Sequence, residues 1–346
     1  MPLAVYIILC LIWSSTWSAI TYVIKDVPPI TGAAARFWLA AMIFFAVHLI
    51  RPIRFPSSWR VRLALLAWGV PQIAVSYAVV YWSELHISTG MTALLFATYP
   101  FFVAMFSARW LAGEAWNFGK LLGLVCGIVG VGLVFLESLK LSSELAPYAA
   151  TGVVISAFAC GISIVMIKRH YINVDTIALT SLQMTGGAIA LTIVAFAIEQ
   201  PLRASWTTSS LLATGYLAVF GSAIAFLGYY WLVKKFDTTI GATITFVTPP
   251  LAIFWGWLFL DEKVSAWVLL GAVFVLLGIR SVLTGARSAR YRGRSGPLAE
   301  SVMPCSDAPV GQAESVMPCS DVPVGLTESV MQCPDTPVRQ AGAGCG

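Results

Sequence analysis

The chain has 346 residues, of which 58% are hydrophobic and only 11% charged, with a formal net charge of +5. Soluble domains carry about 25% charged residues, and a globular interior of this size cannot hide so much apolar surface, so a water-soluble fold is excluded. The positive charge is no sign of nucleic-acid binding, because the Lys and Arg residues fall between apolar runs and in the C-terminal segment.

A helix needs about 20 apolar residues to cross the hydrocarbon of a bilayer. Ten runs approach that length: 3–24, 31–50, 63–83, 87–108, 118–136, 145–167, 176–198, 211–233, 238–260 and 264–284. Backbone groups in lipid must bond within their own segment, so each run is expected to be a helix. A transmembrane β-barrel is excluded, since its strands alternate polar and apolar residues over about ten positions. The first run has no basic stretch ahead of it and many apolar runs after it, so it is expected to stay as a span rather than be cleaved as a signal peptide. The Thr/Ser-rich stretch before the eighth run, Thr207 to Ser210, reads as loop.

The loops between the spans carry an uneven charge. With the loops assigned alternately to two sides, sixteen Lys and Arg fall on the side of the N-terminus and four on the other. Cytoplasmic loops hold the excess of Lys and Arg, so both termini are expected in the cytoplasm. The chain also repeats itself. The fourth run carries Thr98-Tyr99-Pro100 and is followed by Gly113-Glu114, Gly123 and Gly130; the ninth carries Thr248-Pro249-Pro250 and is followed by Asp261-Glu262, Gly271 and Gly278. From glutamate to the first glycine is nine positions in both copies, and from the first glycine to the second is seven. Five spans per copy is an odd number, so the second copy enters the membrane in the opposite sense. Inverted repeats of this kind are a recurrent plan of secondary transporters.

Past residue 284 the composition changes. Arg287, Arg290, Arg292 and Arg294 form a basic juxtamembrane patch, and three 14-residue repeats follow at 299–312, 313–326 and 327–340. Rich in Pro and Ser and without an apolar face, they cannot bury enough surface to fold. The expected fold is therefore an all-α integral membrane protein of ten helices in two inverted five-helix repeats, 3–136 and 145–284, with a disordered cytoplasmic tail over 285–346.

These residues resemble those of the drug/metabolite transporter superfamily, in its ten-helix branch built from two EamA domains. The resemblance rests on Pro100, Gly113-Glu114, Gly123 and Gly130, on Pro250, Asp261-Glu262, Gly271 and Gly278, and on Trp13-Ser14-Ser15 and Arg36 in the first two spans. It covers about residues 4–284. It implies a central cavity lined by spans one, three, four, six, eight and nine, and export or exchange of small metabolites across the cell membrane. The small multidrug relatives carry a membrane carboxylate in the first helix; here the corresponding stretch is Trp13-Ser14-Ser15-Thr16-Trp17, without an acid.

Ionisable groups are costly in lipid and mark functional candidates. No Asp or Glu lies inside a span; Glu84, Glu137, Glu199 and Glu262 sit at ends or in loops. Arg36, five positions into the second span, either attracts a carboxylate-bearing substrate or serves structure. Proline removes a backbone donor and frees the carbonyl four residues earlier, so Pro100, Pro249 and Pro250, with Thr98 and Thr248 ahead of them, are candidates for a hinge or a cavity wall. Trp13, Ser14, Trp17, Gln72, Tyr77, Tyr99 and Gln183 are candidates for substrate contact. Neither the cysteines nor the three histidines have metal-ligand spacing, so no metal or cofactor is expected. The expected partners are a small-molecule substrate and the bilayer, with the protein a monomer or a homodimer. The expected function is a secondary transporter that exports or exchanges amino acids or related amphiphilic metabolites. Proton-coupled multidrug efflux is the alternative, and a non-transporting membrane sensor or scaffold is the alternative of a different class. An enzyme would need paired acids, a nucleophile with its base, or metal ligands at membrane depth.

Overall fold

A computed structural model of the chain describes residues 2–111, 118–138, 143–236, 238–242, 244–274, 276–278 and 280–281. All of them lie within one compact unit, Met1–Gly296. The tail read from the sequence at 285–346, and Glu114 of the first copy, lie outside the described residues.

Every regular element among the described residues is helical. We label them α1 (Pro2–Ile24), α2 (Pro29–Ile50), α3 (Trp59–Ser83) and α4 (Thr89–Trp110), α5 (Phe118–Ser138), α6 (Ala146–Tyr171), α7 (Thr176–Ile198), α8 (Thr208–Lys235), α9 (Ile244–Leu260) and α10 (Ala266–Gly278). A short turn of helix, Thr238–Ala242, precedes α9. Seven of these, α1 to α4 and α6 to α8, are long and apolar enough to cross a membrane; Val247–Leu260 and α10 are shorter apolar helices. The chain is a multi-pass membrane protein.

Local chemistry sets the helix ends. The N-cap Asp175 accepts hydrogen bonds from the backbone N–H of Ile177 and Ala178 at 2.9 and 3.2 Å, which satisfies two of the free donors at the start of α7. The stretch read as loop before α8 is instead its start. Thr207 and Ser210 form a capping box, the Thr207 hydroxyl accepting from the Ser210 N–H at 3.2 Å and the Ser210 hydroxyl from the Thr207 N–H at 3.0 Å. Hydroxyls that look like loop in a composition count are here the device that begins a helix.

The helices pack in pairs that the sequence repeat exchanges. Shifting each helix by five turns α1 against α9 into α6 against α4, α3 against α7 into α8 against α2, and α3 against α6 into α8 against α1; each of these contacts is made. A close backbone approach joins α3 and α7. A Cβ at Gly69 would stand 2.2 Å from the Gln183 carbonyl oxygen, and one at Gly186 would stand 2.0 Å from that of Leu66. The two backbones touch only because these positions have no side chain. A similar contact joins α5 and α10, where a Cβ at Gly278 would lie 2.8 Å from the Gly123 carbonyl oxygen.

Three local irregularities bear on the site. Residues Val70–Val75 of α3 and Leu217–Ile224 of α8 are wound as π-helix, at corresponding places in the two repeats. Such turns release backbone carbonyls from the helix ladder and recur at functional sites. The third is at Pro100. Ala97 and Thr98 leave the regular helix and divide α4 into Thr89–Phe96 and Tyr99–Trp110. The expected match in the second copy differs: α9 runs without a break through Pro249 and Pro250. The Thr248 hydroxyl donates to the Thr245 carbonyl at 3.2 Å, the oxygen that Pro249 leaves without its usual donor.

Candidate functional site

A cavity of about 70 Å³ lies among the helices, room for a few waters. Its walls come from α1, α3, α4, α6, α8 and α9, the six helices implied by the family resemblance. Helix α1 contributes Trp13, Thr16, Trp17 and Ile20, a spacing of three, four and seven that puts all four on one face. Helix α3 contributes Gln72, Ser76, Tyr77 and Val80, of which Gln72 sits in the π-wound turn. Phe96 and Tyr99 come from either side of the break in α4, Cys160 from α6, Phe226 and Tyr229 from α8, and Thr245 and Thr248 from α9.

The wall is apolar and aromatic, with hydroxyls set into it. None of these lining residues is Asp, Glu, Lys, Arg or His. Trp13 lies 5.2 Å from Tyr229 and 5.8 Å from Phe226 between ring centres, and Phe96 stacks on Tyr99 at 5.9 Å. Hydrogen bonds tie the wall together across helices. The Tyr99 and Tyr229 hydroxyls are 2.6 Å apart. The Trp13 indole N–H donates to the Gly221 carbonyl at 3.3 Å, within the π-wound turn of α8. Ser76 pairs with the Cys160 thiol at 2.9 Å. Two buried polar atoms on lining residues have no partner, Trp17 Nε1 and Gln72 Oε1. The first can only donate and the second only accept, and both belong to residues of the wall.

Of the residues expected at a binding site, Trp13, Trp17, Gln72, Tyr77, Tyr99 and Thr248 meet at this cavity. The others are placed elsewhere. Ser14 is buried between α1 and α9, donating to the Leu11 carbonyl at 2.9 Å and accepting from the Trp255 indole at 3.1 Å. Gln183 accepts a hydrogen bond from the Tyr230 hydroxyl. Thr98 bonds the Leu95 carbonyl at 2.8 Å. Pro100, Pro249 and Pro250 shape helices without lining the cavity. Thr16, Phe226 and Tyr229 line it without having been singled out as a site; Ser76, expected as a possible polar contact, lines it too. The i, i+3, i+4, i+7 set beginning at Trp13 is the sequence signal that would have added Thr16.

Arg36 is fully buried, one layer behind the wall. Its Nε donates to the Ser222 hydroxyl at 2.8 Å and its Nη2 to the Gly221 carbonyl at 3.2 Å. The guanidinium carbon lies 4.6 Å from the Tyr77 ring centre, a cation–π contact. Nη1 has no hydrogen-bond partner. The Gly221 carbonyl thus accepts from both Arg36 and the cavity residue Trp13. A π-wound turn provides that spare acceptor, and α2 is tied through it to α8.

At the C-terminal ends of α1 and α3 the carboxylates appear. Ile20 and Val80 line the cavity, and Thr21 and Glu84 lie just past them along their helices. The Thr21 hydroxyl donates to Glu84 Oε2 at 3.0 Å. Glu84 is only 9% exposed, and its Oε1 has no partner. Burial holds its carboxyl well above the usual carboxylate range, against the Thr21 hydrogen bond; Glu262 nearby pushes the same way as burial and Arg36 the other. Glu262 accepts from the N–H and the hydroxyl of Thr89 at 2.9 and 2.8 Å, and so caps α4. Glu199 does the same for α2, accepting from the N–H groups of Ile30 and Thr31 at 2.9 and 2.8 Å and the Thr31 hydroxyl at 2.7 Å. Charge counting at span ends did not separate the buried Glu84 from these two capping acids.

Among the described residues no three His, Cys, Asp or Glu side chains gather as a metal site would require. The arrangement is a small aromatic chamber with hydroxyls in its wall, built by helices of both repeats.

The pattern of the EamA-like transporter family matches twice, over residues 2–136 and 148–284. The chain is 25% identical over 271 residues to the uncharacterized transporter YoaV of Bacillus subtilis, covering 77% of this chain and 90% of that one. It is 27% identical over 273 residues to the uncharacterized inner membrane transporter YedA of Escherichia coli K12, covering 77% and 85%. A crystal structure of a protein 17% identical in sequence superposes with a TM-score of 0.64 over 82% of this chain and 97% of that one, which establishes the likeness of fold.

Proposed function

This chain belongs to the EamA-like transporter family, and we propose that it is a secondary transporter that exports or exchanges small amphiphilic metabolites, amino acids or related compounds, by alternating access. The observation that carries this reading is the cavity shared by the two repeats, walled by aromatic rings and hydroxyls with an unpartnered donor at Trp17 and an unpartnered acceptor at Gln72. Sites of this kind hold an apolar body and fix its orientation with a few polar groups. The cavity volume of about 70 Å³ means that a metabolite enters only as the walls move apart.

The ten-span, inverted arrangement supports the motion. Two repeats of opposite sense can exchange their conformations, and the cavity then opens first to one face and then to the other. The Lys and Arg bias places both termini in the cytoplasm, and the tail past residue 284 is dispensable for transport. Substrate contacts are assigned to Trp13, Trp17, Gln72, Tyr77 and Tyr99, with Thr248 at the cavity wall. The test is efflux from proteoliposomes loaded with a pool of amino acids and related metabolites. Net loss or counterflow of one class is the expected result, and retention of every compound in all conditions would overturn the proposal. A chain ending at Gly285 should move the same compounds at the same rate.

A further inference from the structure

Glu84 is the one carboxylate among the described residues that is buried yet leaves an oxygen without a partner. It sits where two cavity helices end. Its hydrogen bond to Thr21 joins α3 to α1 directly past Val80 and Ile20 of the cavity wall. More buried polar groups lie along the same helices. Ser18 is three positions before Thr21 on α1, and Tyr81 is three positions before Glu84 on α3, so each pair shares a helix face; both hydroxyls are buried, and that of Ser18 has no partner. Arg36 of α2 acts on Tyr81 both as a charge and as a hydrogen-bonding neighbour, and on Glu84 as a charge. The charged and titratable groups acting on Glu84 are therefore Arg36 from α2 and Glu262 from the segment between α9 and α10, with Tyr81 on its own helix.

We propose that Glu84 is a proton-binding site that links the proton to access: the carboxyl holds its proton while the contact between α1 and α3 is closed, and gives it up to water when these helix ends part. The physical argument is desolvation. In the closed arrangement the ionised form would keep one oxygen buried and unpaired, which is costly. Opening hydrates that oxygen and returns the group to the ordinary carboxylate range. The closed form thus binds a proton that the open form releases, so closing is favoured as the pH falls and opening as it rises. Thr21, which donates to the carboxylate, eases proton release and is a positioning residue. The proposal rests on the alternating-access reading above and assigns its driving ion.

The test needs no substrate. Lys25 and Leu85 are exposed next to the ends of α1 and α3. The full chain, with native cysteines replaced and Lys25→Cys and Leu85→Cys carrying spin labels, is placed in lipid nanodiscs, and the distance distribution is followed with pH by electron–electron double resonance. With Glu84 present, the ratio of long to short distances should rise by about tenfold per pH unit through the titration, the slope for one proton. Glu84→Gln, which mimics the protonated form, should hold the short distance at every pH. Thr21→Val removes a contact that only the closed form makes and should shift the profile toward the long distance, not toward the short one. A pH-independent distribution in the parent chain, or the parent's profile unchanged in both Glu84→Gln and Thr21→Val, would overturn the proposal. Failure of metabolite flux with this pH response intact would count against the transport reading alone.

Discussion

The hydroxyls of Tyr99 and Tyr229 meet at 2.6 Å across the cavity, joining α4 of the first repeat to α8 of the second. Both rings are buried. The contact ties the two repeats together at the cavity wall.

Substituting either tyrosine should be as harmful as substituting both. Tyr99→Phe or Tyr229→Phe leaves one buried hydroxyl without a partner, a loss of about 1–3 kcal/mol. The double variant leaves none, and should be no less stable than either single one. Thermal unfolding of the purified variants in detergent measures this coupling. Fully additive losses would mean that the hydroxyls do not act as a pair.

The contact between α3 and α7 predicts intolerance at two glycines. Gly69→Ala and Gly186→Ala push a methyl into a facing carbonyl, and each should destabilise by about 1–3 kcal/mol or more. Gly215 in α8 has nothing within 4 Å of a built Cβ, so Gly215→Ala should be neutral or stabilising by up to about 1 kcal/mol. Membrane abundance and melting temperature of the three variants check the contrast.

The capping acids should respond to substitution in proportion to the donors they serve. Glu199→Ala strips three hydrogen bonds from the start of α2 and should cost about 1–2 kcal/mol. Glu199→Gln keeps an acceptor oxygen and should lose less. Glu262→Ala should weaken the start of α4 in the same way. Proteolysis at these helix starts, compared with global melting, separates local fraying from unfolding.

The prolines should part company. Pro100→Ala restores a backbone donor where α4 is broken and should change transport rate more than abundance. Pro250→Ala lies in a helix that is already continuous and should change rate less. Flux normalised to protein in proteoliposomes decides it, and equal effects would show that the break in α4 has no part in the cycle.

Much of the architecture was legible in the sequence because lipid imposes one rule on every span: apolar outside, hydrogen-bonded within. The run 176–198 is found as α7 with both limits unchanged. The start of α8 was missed because Thr207 to Ser210 are polar, and polarity alone does not tell a loop from a capping box. For the cavity, Trp13, Trp17 and Tyr77 were readable from their depth on helices that the family uses. Ser14, one residue from Trp13, points instead to Trp255, a choice made by rotation about the helix axis.

Composition, span length and the repeated glycine spacing determined by themselves that this is a helical membrane protein made of two copies of one unit. They depend only on chain-local chemistry and the thickness of a bilayer. Tertiary structure alone decided which polar groups are starved of partners. Glu84, Glu199 and Glu262 look alike in the sequence, each an acid at the edge of a span. Two find backbone donors at the start of another helix, and the third is enclosed with one oxygen unpaired, because solvation is set by the neighbours that distant segments bring and not by the residues beside it in the chain.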